Sequence, residues 1–401
     1  MQKFTALDYL KIDIVNLFGK DKLSWVDRIA WFDKHKDDLL DMTKEADAPS
    51  QFYAAVKNYF RVCDGGINYH PITLDATSSG TQILSCLTRD EDAAKYCNVL
   101  DVGYRMDAYT VLFNKFKERL GDEFTDDGTF TRAKIKDAIM VALYGSVKGP
   151  KDLFDEYLED FFELMREEFP IVWALNEVLS SEWNSKVDHY GWVMPDNFNV
   201  FIKVYSKESY TVRLFNRSYE VLKKVNAPSP YGKAYPANFA HSIDSLIVRE
   251  ITALAMHEPK KIEYVHKVLE GVSTRLPKDS KEHTELVKTL VQRYEESGFL
   301  SARILNHIHK GNIEYVPLEP LKELLDAVPA KPFQIMTTHD SFRVLPNYGN
   351  DLRALYNLQL AKVTRSSILE NVLDSLPISQ ITVDKGDLNW KDILNAEYAL
   401  S

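Results

Sequence analysis

The residues with the clearest chemical pattern lie between positions 131 and 146, in TRAKIKDAIMVALYGS. Apolar residues recur there at helical spacing, Thr131 precedes them and Gly145 follows them, so we expect one helix. On that helix Arg132 and Lys136 lie one turn apart, and Tyr144 lies about 18 Å from Arg132 along the axis. Two cations and a distant aromatic ring suit a nucleoside triphosphate, with its phosphates at the cations and its sugar at Tyr144. The competing interpretation is a solvated basic face followed by an ordinary helix end.

Two aspartates elsewhere in the chain are candidates for metal chemistry on such a substrate. Asp75 ends an apolar approach and is followed by the small residues of LDATSSGTQ. Asp340 lies in FQIMTTHDSF, which reads as a strand that carries His339 and Asp340 into a turn. Divalent cations bind phosphate-bearing substrates through one or two carboxylates, and a pair of ions can hold both oxygens of an in-line displacement. A turn aspartate without any ligand role is the alternative for each.

The order of these motifs resembles that of right-hand polymerases, namely Asp, then Arg-x3-Lys-x7-Tyr-Gly, then His-Asp. The details resemble the phage and mitochondrial type of single-subunit DNA-directed RNA polymerase. Like that family, this chain reads Asp-x4-Gly-x-Gln from Asp75 through Gly80, and His-Asp-Ser-Phe from His339. Family A DNA polymerases carry Glu where Gly80 stands and an aromatic residue where Met140 stands, so the differences favour ribonucleotides.

The resemblance implies roles for individual residues in two-metal nucleotidyl transfer. It implies that Asp75, Asp340 and the backbone carbonyl of Ala76 hold two Mg²⁺ ions. It further implies nucleotide contacts and catalytic functions for a second set of residues. These are phosphate binding by Arg132 and Lys136, protonation of the leaving group by Lys136, sugar checking by Tyr144 beside Gly80, primer positioning by His339, and nucleotide contacts by Tyr109 and Lys22.

The resemblance also implies an α+β fold, mostly helical, with a small antiparallel palm sheet. The expected divisions are a first palm part at 1–90, fingers at 91–245, and a second palm part at 246–401. The last part is expected to contain a helical insertion at about 252–331 and a C-terminal foot at 386–401. The thumb, the upstream palm motif and the N-terminal domain have no counterpart in this sequence. The chain therefore resembles the larger subunit of a split, heterodimeric phage RNA polymerase, and we expect a second subunit to supply the missing thumb and motif.

Three departures from the family pattern bear on function. The interval between Arg213 and Asn238 is shorter than the family's promoter-reading hairpin. We therefore expect weak recognition of duplex promoters and dependence on a single-stranded DNA template or on a single-stranded-DNA-binding helper protein. Ile247 stands three residues beyond Asp244, where the family places a His near the ribose, so Tyr144, Gly80 or a neighbouring group has to choose the sugar. The final residues, 398–401, lack the family's aromatic ending, which argues against a role for them near the site.

Composition limits the remaining classes of function. The chain has 401 residues, 45% of them hydrophobic, which is enough for a sizeable core. Its net charge of −10 counts against generic DNA binding but permits a local basic channel. Three cysteines that cannot all pair among themselves, no leader and no long apolar stretch predict a cytoplasmic protein that contacts no membrane. The resemblance to phage enzymes implies that this cytoplasm is that of an infected bacterial host. Two alternatives to the RNA polymerase remain, a family A-like DNA polymerase and a non-catalytic polymerase-like scaffold.

Overall fold

The computed structural model of the chain describes residues 1–124, 128–181, 183–229, 234–272, 275–376 and 382–401. It is an α+β fold, 57% helical, with small antiparallel sheets. The helices are α1 Ala6–Leu17, α2 Trp25–His35, α3 Pro49–Cys63, α4 Ser79–Thr88, α5 Glu91–Tyr96, α6 Ala108–Leu120, α7 Arg132–Leu143, α8 Lys148–Phe154, α9 Leu158–Glu168, α10 Pro170–Ser181, α11 Ala234–Ala255, α12 Pro259–Leu269, α13 Ser280–Ser297, α14 Leu318–Asp326, α15 Gly349–Arg365, α16 Ile368–Ser375 and α17 Trp390–Ile393. The strands are β1 Ile72–Asp75, β2 His189–Val193, β3 Asn199–Lys203, β4 Tyr205–Leu214, β5 Arg217–Asn226, β6 Met336–Thr338 and β7 Ser341–Val344.

The sheet that matters for the site joins two remote parts of the chain. Its order is β1-β7-β6, all antiparallel, and Asp75 lies opposite Ser341 in the β1–β7 register. Side chains alternate along a strand, so Leu74 and Phe342 bury one face while Asp75 points to the other. The sheet therefore turns an acidic residue of β1 toward the residues that precede β7.

The helix expected at 131–146 is α7, and its ends follow the sequence signals. The Thr131 side chain accepts a hydrogen bond from the Lys134 backbone N–H, and Gly145 takes the positive φ of +81° that ends the helix. Its buried face, Ile135 to Leu143, packs against the core. The opposite side carries Arg132 and Lys136.

Some expected elements are shorter than the sequence pattern indicated. The helical pattern from Leu84 to Lys117 is interrupted by a loop at 97–107, because Asn98 has a positive φ of +62° and the next helix begins only after Asp107. Residues 151–183 form three short helices rather than long ones, since α9 ends one residue before Pro170. The strand expected at 333–342 is only β6, and His339 and Asp340 form the tip of a β6–β7 hairpin.

The strand pair expected around the Pro195-Asp196-Asn197 turn is present as β2 and β3. The following interval, expected to be shorter than a promoter-reading hairpin, contains β5, which forms ten residue pairs with β4 in a two-stranded ribbon. Most of β4 lies before that interval, since the strand begins at Tyr205, eight residues before Arg213. Residues 230–233 of that interval lie outside the described residues.

The last third of the chain is largely helical, as expected. Helices α12, α13 and α14 fall on the amphipathic runs of residues 252–331, of which 273 and 274 lie outside the described residues. Helix α15 is central, since it packs on α4, α11 and α17. No helix in the described ranges is long and apolar enough to span a bilayer. The three cysteines are free thiols, in agreement with the sequence.

Candidate active site

One cavity of about 460 Å³ brings the sequence-predicted site residues together. It lies between β1, the β6–β7 tip, the start of α4, and helices α6 and α7. All ten residues predicted above line it, namely Lys22, Asp75, Ala76, Gly80, Tyr109, Arg132, Lys136, Tyr144, His339 and Asp340. Their shared location is a structural finding, whereas the role of each remains a prediction.

The acidic side of the cavity is built on backbone pairing. The Ala76 N–H donates to the Asp340 carbonyl at 3.2 Å, which ties the end of β1 to the hairpin tip. Residues 399–401 pair with the other edge of the same segment, since the Ser401 N–H donates to the Asp75 carbonyl at 2.9 Å. Asp75 is thus held between two chain segments, each more than 250 positions away in sequence.

The hairpin tip is a two-residue turn in which His339 has a positive φ of +55°. Glycine usually occupies such a position, because a side chain is strained there. Non-glycine residues in this conformation concentrate at functional sites. The turn places His339 and Asp340 side by side at the cavity wall.

The carboxyl groups of the acidic side influence one another's pKa. Enclosure by protein atoms and the Asp340 charge raise the pKa of Asp75 to about 6. The same two causes raise the pKa of Asp244 to about 6, while His339 opposes the shift. Asp244 also lines the cavity, from α11, and no role was assigned to it from sequence. Its only sequence signal was its place in the motif Asn-Phe-Ala-His-Ser-Ile-Asp.

The cationic side is partly neutralised by the protein itself. Arg132 donates through Nη2 to both Asp107 carboxylate oxygens, at 2.7 and 2.6 Å, and through Nε to Thr110 Oγ1 at 2.6 Å. Burial alone would raise the pKa of Asp107, but hydrogen bonds from Thr110 and Arg132 and the Arg132 charge lower it. Lys22 pairs with Asp21 at 2.7 Å. Lys136 instead lies over the Tyr109 ring, 5.5 Å from its centre.

At the far end of α7 the cavity narrows around an aromatic ring. The Tyr144 ring lies 5.3 Å from the His241 ring, centre to centre. A methyl group built on Gly80 would overlap the Tyr144 hydroxyl and approach its Cζ to 2.8 Å. Enclosure, followed by the charges of Asp244 and Asp340, raises the pKa of Tyr144 to about 12, so the phenol keeps its proton. Tyr144 can therefore donate a hydrogen bond at neutral pH.

Ile247 is 1% exposed and packs in the core, whereas His241, six residues earlier on α11, lies against Tyr144. One detail differs from the sequence-based expectations. The final residues were not expected near the site, yet Ser401 lines the cavity beside Asp75. Backbone pairing places it there, and backbone pairing does not depend on an aromatic ending.

The residues of the acidic side fit hard divalent cations. Asp75 and Asp340 supply oxygen ligands, and their mutual repulsion would be relieved by a bound cation. In the part of the chain that the structure describes, no group of three His, Cys, Asp or Glu side chains is arranged to hold a metal alone. Mg²⁺ usually takes one or two carboxylates together with substrate phosphates, which is the arrangement available here.

The cavity thus has carboxylates on one side and the cationic helix α7 on the other. Among known proteins, residues 3–182 match the family model described as DNA-dependent RNA polymerase. The chain is 33% identical to the DNA-directed RNA polymerase of Enterobacteria phage T3 over 124 residues, 28% of this chain and 14% of the phage protein.

Two eukaryotic relatives extend the match. The mitochondrial DNA-directed RNA polymerase 1 of Arabidopsis thaliana is 27% identical over 188 residues, 39% of this chain and 19% of that protein. A probable DNA-directed RNA polymerase of Neurospora crassa is 21% identical over 460 aligned positions, 99% of this chain and 48% of that protein. The chain is thus similar in sequence to phage and mitochondrial proteins named DNA-directed RNA polymerase, and it spans at most about half the length of these three relatives.

Proposed function

We propose that this chain is the catalytic part of a DNA-directed RNA polymerase that transfers nucleotides from ribonucleoside triphosphates under the direction of a template. The observation that carries the proposal is the meeting of Asp75 and Asp340 opposite the Arg132–Lys136 face of α7 in one cavity. These residues come from three separate segments, and a solvated basic face would have no reason to face an acid pair. The relatives' names support the same reaction.

The proposed reaction joins the RNA 3′-oxygen to the α-phosphorus and breaks the bond to pyrophosphate. Two Mg²⁺ ions at Asp75, Asp340 and the Ala76 carbonyl would supply activation of the hydroxyl and charge compensation for the leaving group. Lys136 holds the phosphates and passes a proton to the departing pyrophosphate. His339 positions the primer end beside Asp340.

Sugar selection is assigned to Tyr144, Gly80 and His241. Gly80 has no side chain and so lets the Tyr144 hydroxyl lie against its backbone, where that hydroxyl can serve as the hydrogen-bond partner of a ribose 2′-hydroxyl. His241 takes the place that the family pattern had assigned to position 247. This set favours ribonucleotides over deoxyribonucleotides.

The division into palm (1–90 and 246–401) and fingers (91–245), with an insertion at 252–331 and a foot at 386–401, remains a proposal. So does the requirement for a second subunit that supplies the thumb and upstream palm motif. The aligned regions cover 14–48% of the three relatives above. Weak recognition of duplex promoters is also a proposal, and the short interval between Arg213 and Asn238 supports it.

The decisive experiment is extension of an RNA primer on single-stranded DNA with Mg²⁺ and either ribo- or deoxyribonucleotides. The chain is assayed alone and together with the protein that co-purifies with it. Ribonucleotide incorporation that is lost in Asp75→Asn is the expected result. Preferential deoxyribonucleotide incorporation would point to a DNA polymerase, and no incorporation in either preparation would point to a scaffold. Robust synthesis by the isolated chain would contradict the need for a second subunit.

A further inference from the structure

Arg105 lies in the wall of the same cavity and has no role in the reaction described so far. It belongs to the loop at 97–107 that interrupts the expected helix. The Asn98 side chain closes this loop, since it accepts from the Met106 N–H at 2.8 Å and donates to the Met106 carbonyl at 3.1 Å. Asn98 is itself buried, at 4% exposure. The residue next to Arg105 is therefore fixed, and Arg105 has a defined position.

The guanidinium of Arg105 differs from its neighbours in lacking a protein counter-ion. Its Nε donates to Ser401 Oγ at 3.4 Å. Across the described ranges, no carboxylate lies within ion-pairing distance of it, whereas Lys22 is paired with Asp21 and Arg132 with Asp107. Surrounding protein atoms desolvate it and lower its pKa, against the attraction of Asp21 and Asp107. A half-buried cation without its own anion is costly unless a ligand supplies one.

A second guanidinium nearby adds to this excess of positive charge. Arg28 is 0% exposed and stacks on Trp25, with its Cζ 4.6 Å from the ring centre. It donates to the carbonyls of Leu23 and Asp21, and its Nη1 has no hydrogen-bond partner. Burial, and next the charge of Arg105, lower the pKa of Arg28 to about 9. Two guanidinium groups, one in the cavity wall and one buried behind it, thus lie near the carboxylate of Asp21, which Lys22 already engages.

We propose that Arg105 binds the terminal phosphates of the incoming nucleoside triphosphate, so that the site distinguishes triphosphates from shorter nucleotides. The inference rests on the proposed function and adds to it a residue that the motifs did not contain. Lys22 and Arg132 each pair with a carboxylate, so Lys136 and Arg105 are the cations of this cavity without a carboxylate partner among the described residues.

The position of Arg105 indicates the end of the ligand that it meets. Tyr144 and Gly80 mark the sugar end of α7, and Arg132 lies at the opposite end, bonded to Asp107. Arg105 precedes Asp107 by two residues and contacts Ser401, whose backbone pairs with Asp75. It therefore lies near the Asp107–Arg132 ion pair and near the segment that pairs with Asp75, away from the sugar end. A triphosphate whose sugar is at Tyr144 would direct its terminal phosphates there.

The test measures binding by titration calorimetry of the full chain, together with any subunit that co-purifies. The probes are ATP, ADP, AMP and inorganic tripolyphosphate, each with Mg²⁺. A hydrogen bond to a charged group contributes enough that Arg105→Gln is expected to weaken ATP and tripolyphosphate binding roughly tenfold or more. AMP binding should change less than about twofold, because AMP does not reach Arg105. Arg105→Lys, which keeps the charge but not the planar fork, should recover part of the loss.

The control is Arg61→Gln, because Arg61 is an exposed arginine of α3 that covers Tyr69 outside the cavity. It should leave all four affinities unchanged. Thermal melting checks that each variant folds. If Arg105→Gln does not fold, Arg105→Met, which keeps the apolar stem, takes its place.

Three outcomes separate this inference from the proposed function. Equal losses for ATP, ADP and AMP would overturn the assignment to the terminal phosphates. Unchanged ATP binding in Arg105→Gln, with a loss in Lys136→Gln, would overturn the inference and leave the proposed function standing. Failure of the wild-type chain to bind either ATP or tripolyphosphate would count against the proposed function itself.

Discussion

The contact between Gly80 and Tyr144 gives the sharpest prediction, through the substitution Gly80→Ala. The added methyl group would overlap the Tyr144 hydroxyl, and ordinary van der Waals contact begins at 3.4 Å. The hydroxyl therefore has to move by roughly 1 Å. A displacement of that size typically lowers the reaction rate about 100-fold when it changes the geometry of the reacting groups. We expect kcat/KM for ribonucleotide incorporation to fall by about that factor, with a smaller loss for deoxyribonucleotides, because they do not use the 2′-hydroxyl contact.

The assay is single-nucleotide extension of an RNA primer, with kcat/KM measured for matched ribo- and deoxyribonucleotides. Gly311→Ala is the matched control, since a methyl group at Gly311 would meet His309 only at 3.4 Å, outside the cavity. That variant should retain both rates. If Gly80→Ala keeps the wild-type rate and sugar preference, Tyr144 does not read the sugar beside Gly80, and the reasoning is refuted.

The remaining predictions concern the acid pair and the core. Asp75→Asn and Asp340→Asn should each reduce extension to background while thermal melting stays close to wild type, because each change removes ligand charge and not packing; a fall in melting temperature matching the activity loss would contradict this. Because the pKa of Asp75 is raised to about 6, its carboxylate form and Mg²⁺ binding should be lost as pH falls through 6. Carbon NMR should show that Asp340→Asn lowers the pKa of Asp75. If Asp340→Asn leaves that pKa unchanged, charge repulsion from Asp340 is not its cause. Lys362→Met should lower the free energy of unfolding in urea by about 3–5 kcal/mol, because buried Glu250 then loses the cation that lies 3.7 Å from its carboxylate. Adding Glu250→Gln to this variant should recover part of the loss. A double variant less stable than Lys362→Met would rule out that pairing.

The parts of the fold that depend on neighbouring residues could be predicted from sequence. Helix α7 is an example, because Thr131 caps it, its apolar residues repeat every three to four positions, and Gly145 ends it. The β2–β3 pair followed from its Pro-Asp-Asn turn in the same way. The prediction that Asp75 and Asp340 share one cavity came from the order of the recognised motifs. Local sequence pattern gives no information about a contact between such distant residues.

The parts that could not be predicted depend on contacts between distant segments or on irregular backbone. The Asp107–Arg132 ion pair is one example, because Asp107 is also the N-cap of α6. The capping role alone explains an aspartate at that position, so nothing in the sequence indicated a second partner. Arg105 lies in a loop shaped by Asn98, where no periodicity exists to read. Ser401 reaches the site through backbone pairing, which side-chain identity does not encode. The β4–β5 ribbon is largely exposed, so its sequence carries little of the hydrophobic alternation that marks a strand.

The pairing of β1 with β7 makes the chain suitable for fragment complementation. An interruption at the ribbon tip, between Phe215 and Asn216, would leave Asp75 and Lys136 on one piece and Asp340 on the other. Neither piece would contain both acids, so catalytic output would require the two pieces to reassociate. Under the proposed function, RNA synthesis by such a two-piece protein would act as a reporter of that reassociation.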